Sequence, residues 1–135
     1  MSFLQVERKT IASDDRSWMI GTHGTGDSAN PNITLDLTLF DKAKHYPKGY
    51  LPSGLVVGKT EGGQFGPYDP AATDGRQTPK GMLFSSVIVK DGQARTAGAL
   101  FWHGVVNPER LPIKAGSGAI DADARESLTA VYFTD

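Results

Sequence analysis

The chain contains no cysteine. A disulfide framework, a thiolate metal centre and a thiol nucleophile are thereby excluded, and stability must come from packing or association. A surplus of either charge is also missing. Fourteen lysines and arginines stand against 15 aspartates and glutamates in 135 residues, a formal net charge of −1. No Lys/Arg stripe is present to release counterions from a nucleic acid, so direct nucleic-acid binding is not expected. Long apolar runs are absent too. Met1 to Met19 carries Glu7, Arg8, Lys9, Asp14, Asp15 and Arg16, which leaves no room for a signal core or a membrane span. Synthesis in the cytoplasm and no membrane partner are the expectations that follow.

Glycine, by contrast, is plentiful, with 16 residues beside 8 prolines, the mark of a chain rich in turns. The length suits one domain able to bury a core without metals or disulfides. The stretch from Gly21 to Asn32 is dense in Gly, Thr, Ser and Asn and reads as a linker. Upstream of it Phe3, Leu4, Val6, Ile11, Trp18, Met19 and Ile20 supply apolar points with no helical or strand period. Residues 1–32 are therefore expected to form a flexible arm and linker, and residues 33–135 a β-rich domain. Phe3, Leu4, Val6, Trp18 and Ile20 become the candidate contacts to a partner.

From Ile33 to Leu39, Ile33, Leu35, Leu37 and Leu39 alternate with Thr34, Asp36 and Thr38, which predicts a strand with one buried and one wet face. Lys42 to Pro52 reads as a loop, Leu55 to Lys59 as a short strand, and Glu61 to Pro70 as a second loop. Met82 to Val89 and Ala94 to Val106 flank Lys90-Asp91-Gly92, a pattern that predicts a hairpin closed by an Asp-Gly turn. Asn107-Pro108 starts a helical turn. Asp121 caps a short helix running to Leu128, and Thr129 to Phe133 closes the chain as a strand. The sum is a mainly β fold, a small clip or barrel with a short C-terminal helix and an extended N-terminal arm.

Motifs that carry chemistry fail on inspection. Gly54-Leu55-Val56-Val57-Gly58-Lys59-Thr60 has three residues between its glycines where a P-loop needs four, and those residues are β-forming and apolar. His23, His45 and His103 show no metal-ligand spacing. Ser85 and Ser86 lie in a strand rather than on a nucleophile elbow, and Asp14-Asp15 and Asp121/Asp123 belong to the arm and to a helix start. No catalytic residue, cofactor or metal ligand is assigned. Phe101-Trp102-His103 reads instead as core on one strand face and interface on the other, with Phe101 and Trp102 as possible interface residues.

The stretch from Leu51 to Pro112 resembles the head decoration proteins of tailed phages, the capsid-stabilising family of the lambda type. The resemblance is carried by Leu51-Pro52-Ser53-Gly54-Leu55-Val56, by Gly66-Pro67-Tyr68 and by Asp74-Gly75-Arg76-Gln77-Thr78 leading into Gly81-Met82-Leu83. Gly98 to Pro112, containing Phe101-Trp102-His103-Gly104 and Asn107-Pro108-Glu109-Arg110, completes it. It implies a clip-like β domain without catalytic residues that forms homotrimers on the outside of the expanded head, at three-fold positions. It also implies the major capsid protein as partner, a place in the virion, and an N-terminal arm that orders on binding. Two other classes are set beside it. A small hydrolase or carbohydrate-binding module would need Asp69, Asp74 and His103 to converge, and a tail or fibre component would share the docking but differ in symmetry.

Overall fold

The computed structural model describes residues 12–26 and 29–134. Strands β1 (Asn32–Asp36), β3 (Val56–Lys59), β4 (Phe65–Pro67), β5 (Pro79–Leu83) and β7 (Arg95–Phe101) close into a barrel in the order β1-β4-β3-β5-β7. Two small ribbons lie outside it. One pairs β2 (Tyr50–Leu51) with β6 (Val87–Ile88), and the other pairs β8 (Gly104–Val106) in parallel with β9 (Val131–Phe133). Helices are short: α1 (Lys42–His45), α2 (Ala122–Ser127) and two 3-10 turns, Leu37–Leu39 and Pro108–Arg110. The mainly β barrel with a short C-terminal helix expected from the sequence is the observed fold.

Two apolar cores share three strands. All five barrel strands feed the inner one, through Ile33 and Leu35, Phe65, Val57, Leu83 and Leu100. The outer one lies on the opposite face of β3, β5 and β7, where Val56, Met82 and Phe101 meet Trp18, Tyr68, Val106, Leu111, Ala124, Leu128 and Val131. Because side chains alternate across a strand, the neighbouring pairs Val56/Val57, Met82/Leu83 and Leu100/Phe101 each send one residue into each core. At those positions the three strands carry adjacent apolar residues, whereas β1, wet outside, alternates exposed and buried positions.

Trp18 corrects the expected boundary at residue 32. It is fully buried, packs edge-on against Phe101 with ring centroids 5.0 Å apart, and donates its indole N–H to Ser53 Oγ at 3.1 Å. The turn that holds it is the Leu51-Pro52-Ser53-Gly54 signature. Gly54 has φ +96°, and a Cβ there would stand 2.8 Å from the Trp18 indole nitrogen, so both the conformation and the space require glycine. Ser53 in turn donates to the Phe84 carbonyl at 2.8 Å. The residues beside Trp18 are fixed too, with a bridge from Met19 to Val106, the Ile20 N–H on the Val105 carbonyl, and the Asn107 N–H on the Trp18 carbonyl. The absence of a period around Trp18 had suggested an arm, but a single large side chain entering a socket needs no period.

The expected hairpin is present in a wider form. The turn at Asp91-Gly92 forms, with the Gln93 N–H on the Lys90 carbonyl, and β5 pairs antiparallel with β7 through Met82 and Phe101. Val87–Ile88 leaves the β5–β7 pairing and joins β2, while β1 pairs along the other edge of β7 from Asn32↔Ala99 to Asp36↔Arg95. Strand β1 itself ends at Asp36, whose carboxylate accepts from the Thr38 N–H and turns Leu37–Leu39 into a 3-10 segment. The expected loops at Lys42 to Pro52 and Glu61 to Pro70 hold α1, β2 and β4. The Asn107 and Asp121 caps form as expected, each accepting a backbone N–H two or three residues on.

Replacing Trp18 by alanine is expected to cost about 3–5 kcal/mol of stability, the range for emptying a buried tryptophan site. Urea denaturation of Trp18→Ala beside the parent chain measures it; a loss under 1 kcal/mol, the scale of a surface change, would contradict the seat described.

Candidate docking surfaces

The seven residues expected to make contacts fall into three groups. Phe3, Leu4 and Val6 lie outside the described residues. Trp18 and Phe101, both 0% exposed, are core and are withdrawn as surface contacts. Ile20 and Trp102 are exposed, at 43% and 44%, and are joined by Ile88 and Tyr132. Tyr132 went unnoticed in the sequence because its strand was read as a closing element without a direction for its faces.

The N-terminal segment is tied to the body before it reaches Trp18. The Ser86 N–H donates to Asp14 at 2.9 Å, and the Ser86 hydroxyl donates to the Ser13 carbonyl. Arg16 donates to Ser85 Oγ at 2.6 Å, pairs with Asp14, and lies over the Phe84 ring. Ser85 and Ser86, examined above as nucleophiles, are thus anchor points. The exposed Arg16–Asp14 ion pair contributes little; the packing of Trp18 and the main-chain hydrogen bonds carry the attachment.

Asp69, Asp74 and Asp121 are each engaged by partners within the fold. Asp74 pairs with Arg76 at 3.0 Å and Asp69 caps the Ala71 N–H. Desolvation is the largest single influence on the Asp74 carboxyl and raises it, but the guanidinium, the N–H and the charge of Arg76 together outweigh it and hold the group below its ordinary value. Asp121 caps α2 and accepts the Tyr68 hydroxyl at 2.9 Å. Burial first, and this bond second, push the Tyr68 hydroxyl up to about 12. Tyr68 from the Gly66-Pro67-Tyr68 signature thereby joins the barrel to the C-terminal helix. Among the described residues no three His, Asp or Glu side chains come together to hold a metal ion.

The histidines sort differently from their sequence reading. His45 is buried, with Nδ1 accepting from the Asp41 N–H at 2.9 Å and Nε2 donating to the Ser117 carbonyl at 2.9 Å. His23 and His103, 80 positions apart, stand together, with His103 Nδ1 and His23 Nε2 3.4 Å apart and Trp102 against the His103 ring. No local spacing signals this pair, since it is made by the turn at Gly24 meeting the start of β8.

These features define a small closed β barrel without a gathered catalytic or metal centre among the described residues, with the segment from Ser13 to Ile20 pinned to it through the outer core. Residues 29–132 match the family model described as Bacteriophage lambda head decoration protein D, and the chain belongs to that family. Its role is therefore phage capsid decoration, as a structural protein associated with the capsid of the virion. No curated protein and no solved structure matches the chain.

Burial holds the His45 imidazole below its ordinary value of 6.5, more than the Ser117 hydrogen bond and Asp41 raise it. Its neutral form stabilises the fold fully above pH ~6.5, and that contribution declines as pH falls from there to the folded value, by at most ~1.4 kcal/mol per pH unit. An NMR titration of the His45 ring is expected to show a midpoint below 6.5, together with falling stability over that interval. A midpoint at or above 6.5 would contradict the buried neutral tautomer.

Proposed function

We propose that this chain binds the outside of the expanded phage head as a homotrimer at three-fold positions and stabilises the shell against the pressure of packaged DNA. The partner is the major capsid protein, reached through Phe3, Leu4 and Val6 of the N-terminal arm, with Ile20 and Trp102 of the body as further contacts. A ligand that prefers the expanded shell stabilises it in proportion to occupancy and affinity, and no bond needs to be made or broken. The protein is in this reading not an enzyme, and it is made in the host cytoplasm before it adds to the head.

The observation that carries the proposal is the seat of Trp18. Any hold that residues 1–11 take on a capsid subunit passes directly into the barrel through Ser13, Asp14, Arg16 and Trp18. An extended arm adds main-chain hydrogen bonds to an exposed strand edge, and three arms on one trimer raise the effective concentration of each for its own site. Trimer symmetry matched to shell symmetry lets every contact repeat.

A chain lacking residues 1–11 retains every described core residue and is expected to remain folded while losing binding to expanded shells of its own phage. Co-sedimentation of both chains with expanded and unexpanded shells tests this. The full chain should pellet with expanded shells only, as a trimer by mass; equal pelleting of the shortened chain would remove the arm from the mechanism.

A further inference from the structure

We propose that His23 and His103 form a two-histidine site for a borderline divalent metal ion of the Zn²⁺ type, completed by water or by a group from a neighbouring molecule. The His103 Nδ1 and His23 Nε2 atoms stand 3.4 Å apart, and the two ring centroids 5.2 Å apart with the planes at 87°. Two imidazole nitrogens bound at about 2.0–2.1 Å to one tetrahedral Zn²⁺ would stand about 3.3–3.4 Å apart. With the metal on the axis of each ring, the same geometry puts the ring centres roughly 5.2 Å apart. Both separations are therefore those of a bis-imidazole site. A ring-to-ring hydrogen bond would sit closer, in the range of about 2.7–3.2 Å usual for nitrogen donors.

The pair is also held in place before any ligand arrives. Each histidine precedes a glycine, and each glycine lies against the other histidine's carbonyl: a Cβ on Gly24 would overlap the His103 carbonyl oxygen, and one on Gly104 the His23 carbonyl oxygen. Both glycines have positive φ, +87° and +144°, so this mutual approach of two His-Gly steps is closed to other residues. Trp102 packs against the His103 ring at 4.2 Å between centroids with the planes tilted by 58°, and is itself fixed by its indole N–H on the Ala29 carbonyl. A ligand pair fixed in this way loses little freedom on binding. His45, with both ring nitrogens occupied by Asp41 and Ser117, is unavailable. The pair supplies two ligands, so at least one position stays open, and the proposal is independent of the capsid-binding reading.

Zn²⁺ alone is the probe. Titrated into the full chain in a non-chelating buffer, it is expected to shift the ring resonances of His23 and His103 together and leave those of His45 in place. Calorimetry should give no more than one ion per chain, with affinity falling at least about tenfold in His23→Ala and in His103→Ala. Thermal unfolding of the metal-free variants checks that they are folded, and His23→Gln and His103→Gln, which keep a polar side chain at each position, serve if the alanine variants are not. Binding that survives either substitution undiminished, or shifts confined to one of the two rings, would overturn the site.

Discussion

The structure depends on a sheet that is apolar on both faces. β3, β5 and β7 each send adjacent residues to opposite sides, and the side turned away from the barrel interior has to be covered. Burial of apolar surface is the dominant favourable contribution to folding, and a barrel with that face open would expose Val56, Met82 and Phe101 together. Trp18 supplies the largest single cover. Tyr68, Leu111, the β8–β9 ribbon and α2 complete it, so the segment around Trp18, a loop near the middle of the chain and the elements from β8 to β9 are brought to one side of the barrel by a single requirement.

The polar features follow from this arrangement. The Trp18 indole would be an unsatisfied donor inside the outer core, and Ser53 accepts from it. Tyr68 enters the same core and would bury a hydroxyl, which Asp121 accepts while it caps α2. In both cases a hydrogen bond that satisfies a buried group also fastens a peripheral segment. The family's sequence signatures acquire a physical meaning here: Ser53-Gly54 is the socket of Trp18, and Tyr68 is the link to the C-terminal helix.

Much of the architecture was legible in the sequence. The β class, the alternation of Ile33 and Leu35, the capped turns at Asn107 and Asp121 and the decoration-protein signatures all depend on neighbours in the chain, which local pattern reports. What was not legible depends on distant partners. Val87–Ile88 reads like the near strand of a tight hairpin, yet it pairs with Tyr50–Leu51, far back in the chain. β4 spans three residues including Gly66 and Pro67, and it becomes a strand because Gly66 faces Gly58 in register. Trp18 looked like part of an arm for lack of a period, and His23 and His103 looked isolated because 80 positions separate them. Of the expected contact residues, Ile20 and Trp102 are on the surface, while Phe101 and Trp18 are inside for the same reason: they face each other.

A decoration protein that holds a shell by an arm can transmit load only if the root of that arm is as firm as the domain behind it. Native-state hydrogen exchange measures that firmness directly. The account predicts that the amides of Ile20 and Asn107, which bond to Val105 and Trp18, open with the same free energy as the Leu83 and Phe84 amides on and beside β5. Exchange at Ile20 and Asn107 by a separate, much easier opening would contradict it, because the segment would then be a tether laid on the barrel instead of part of its core.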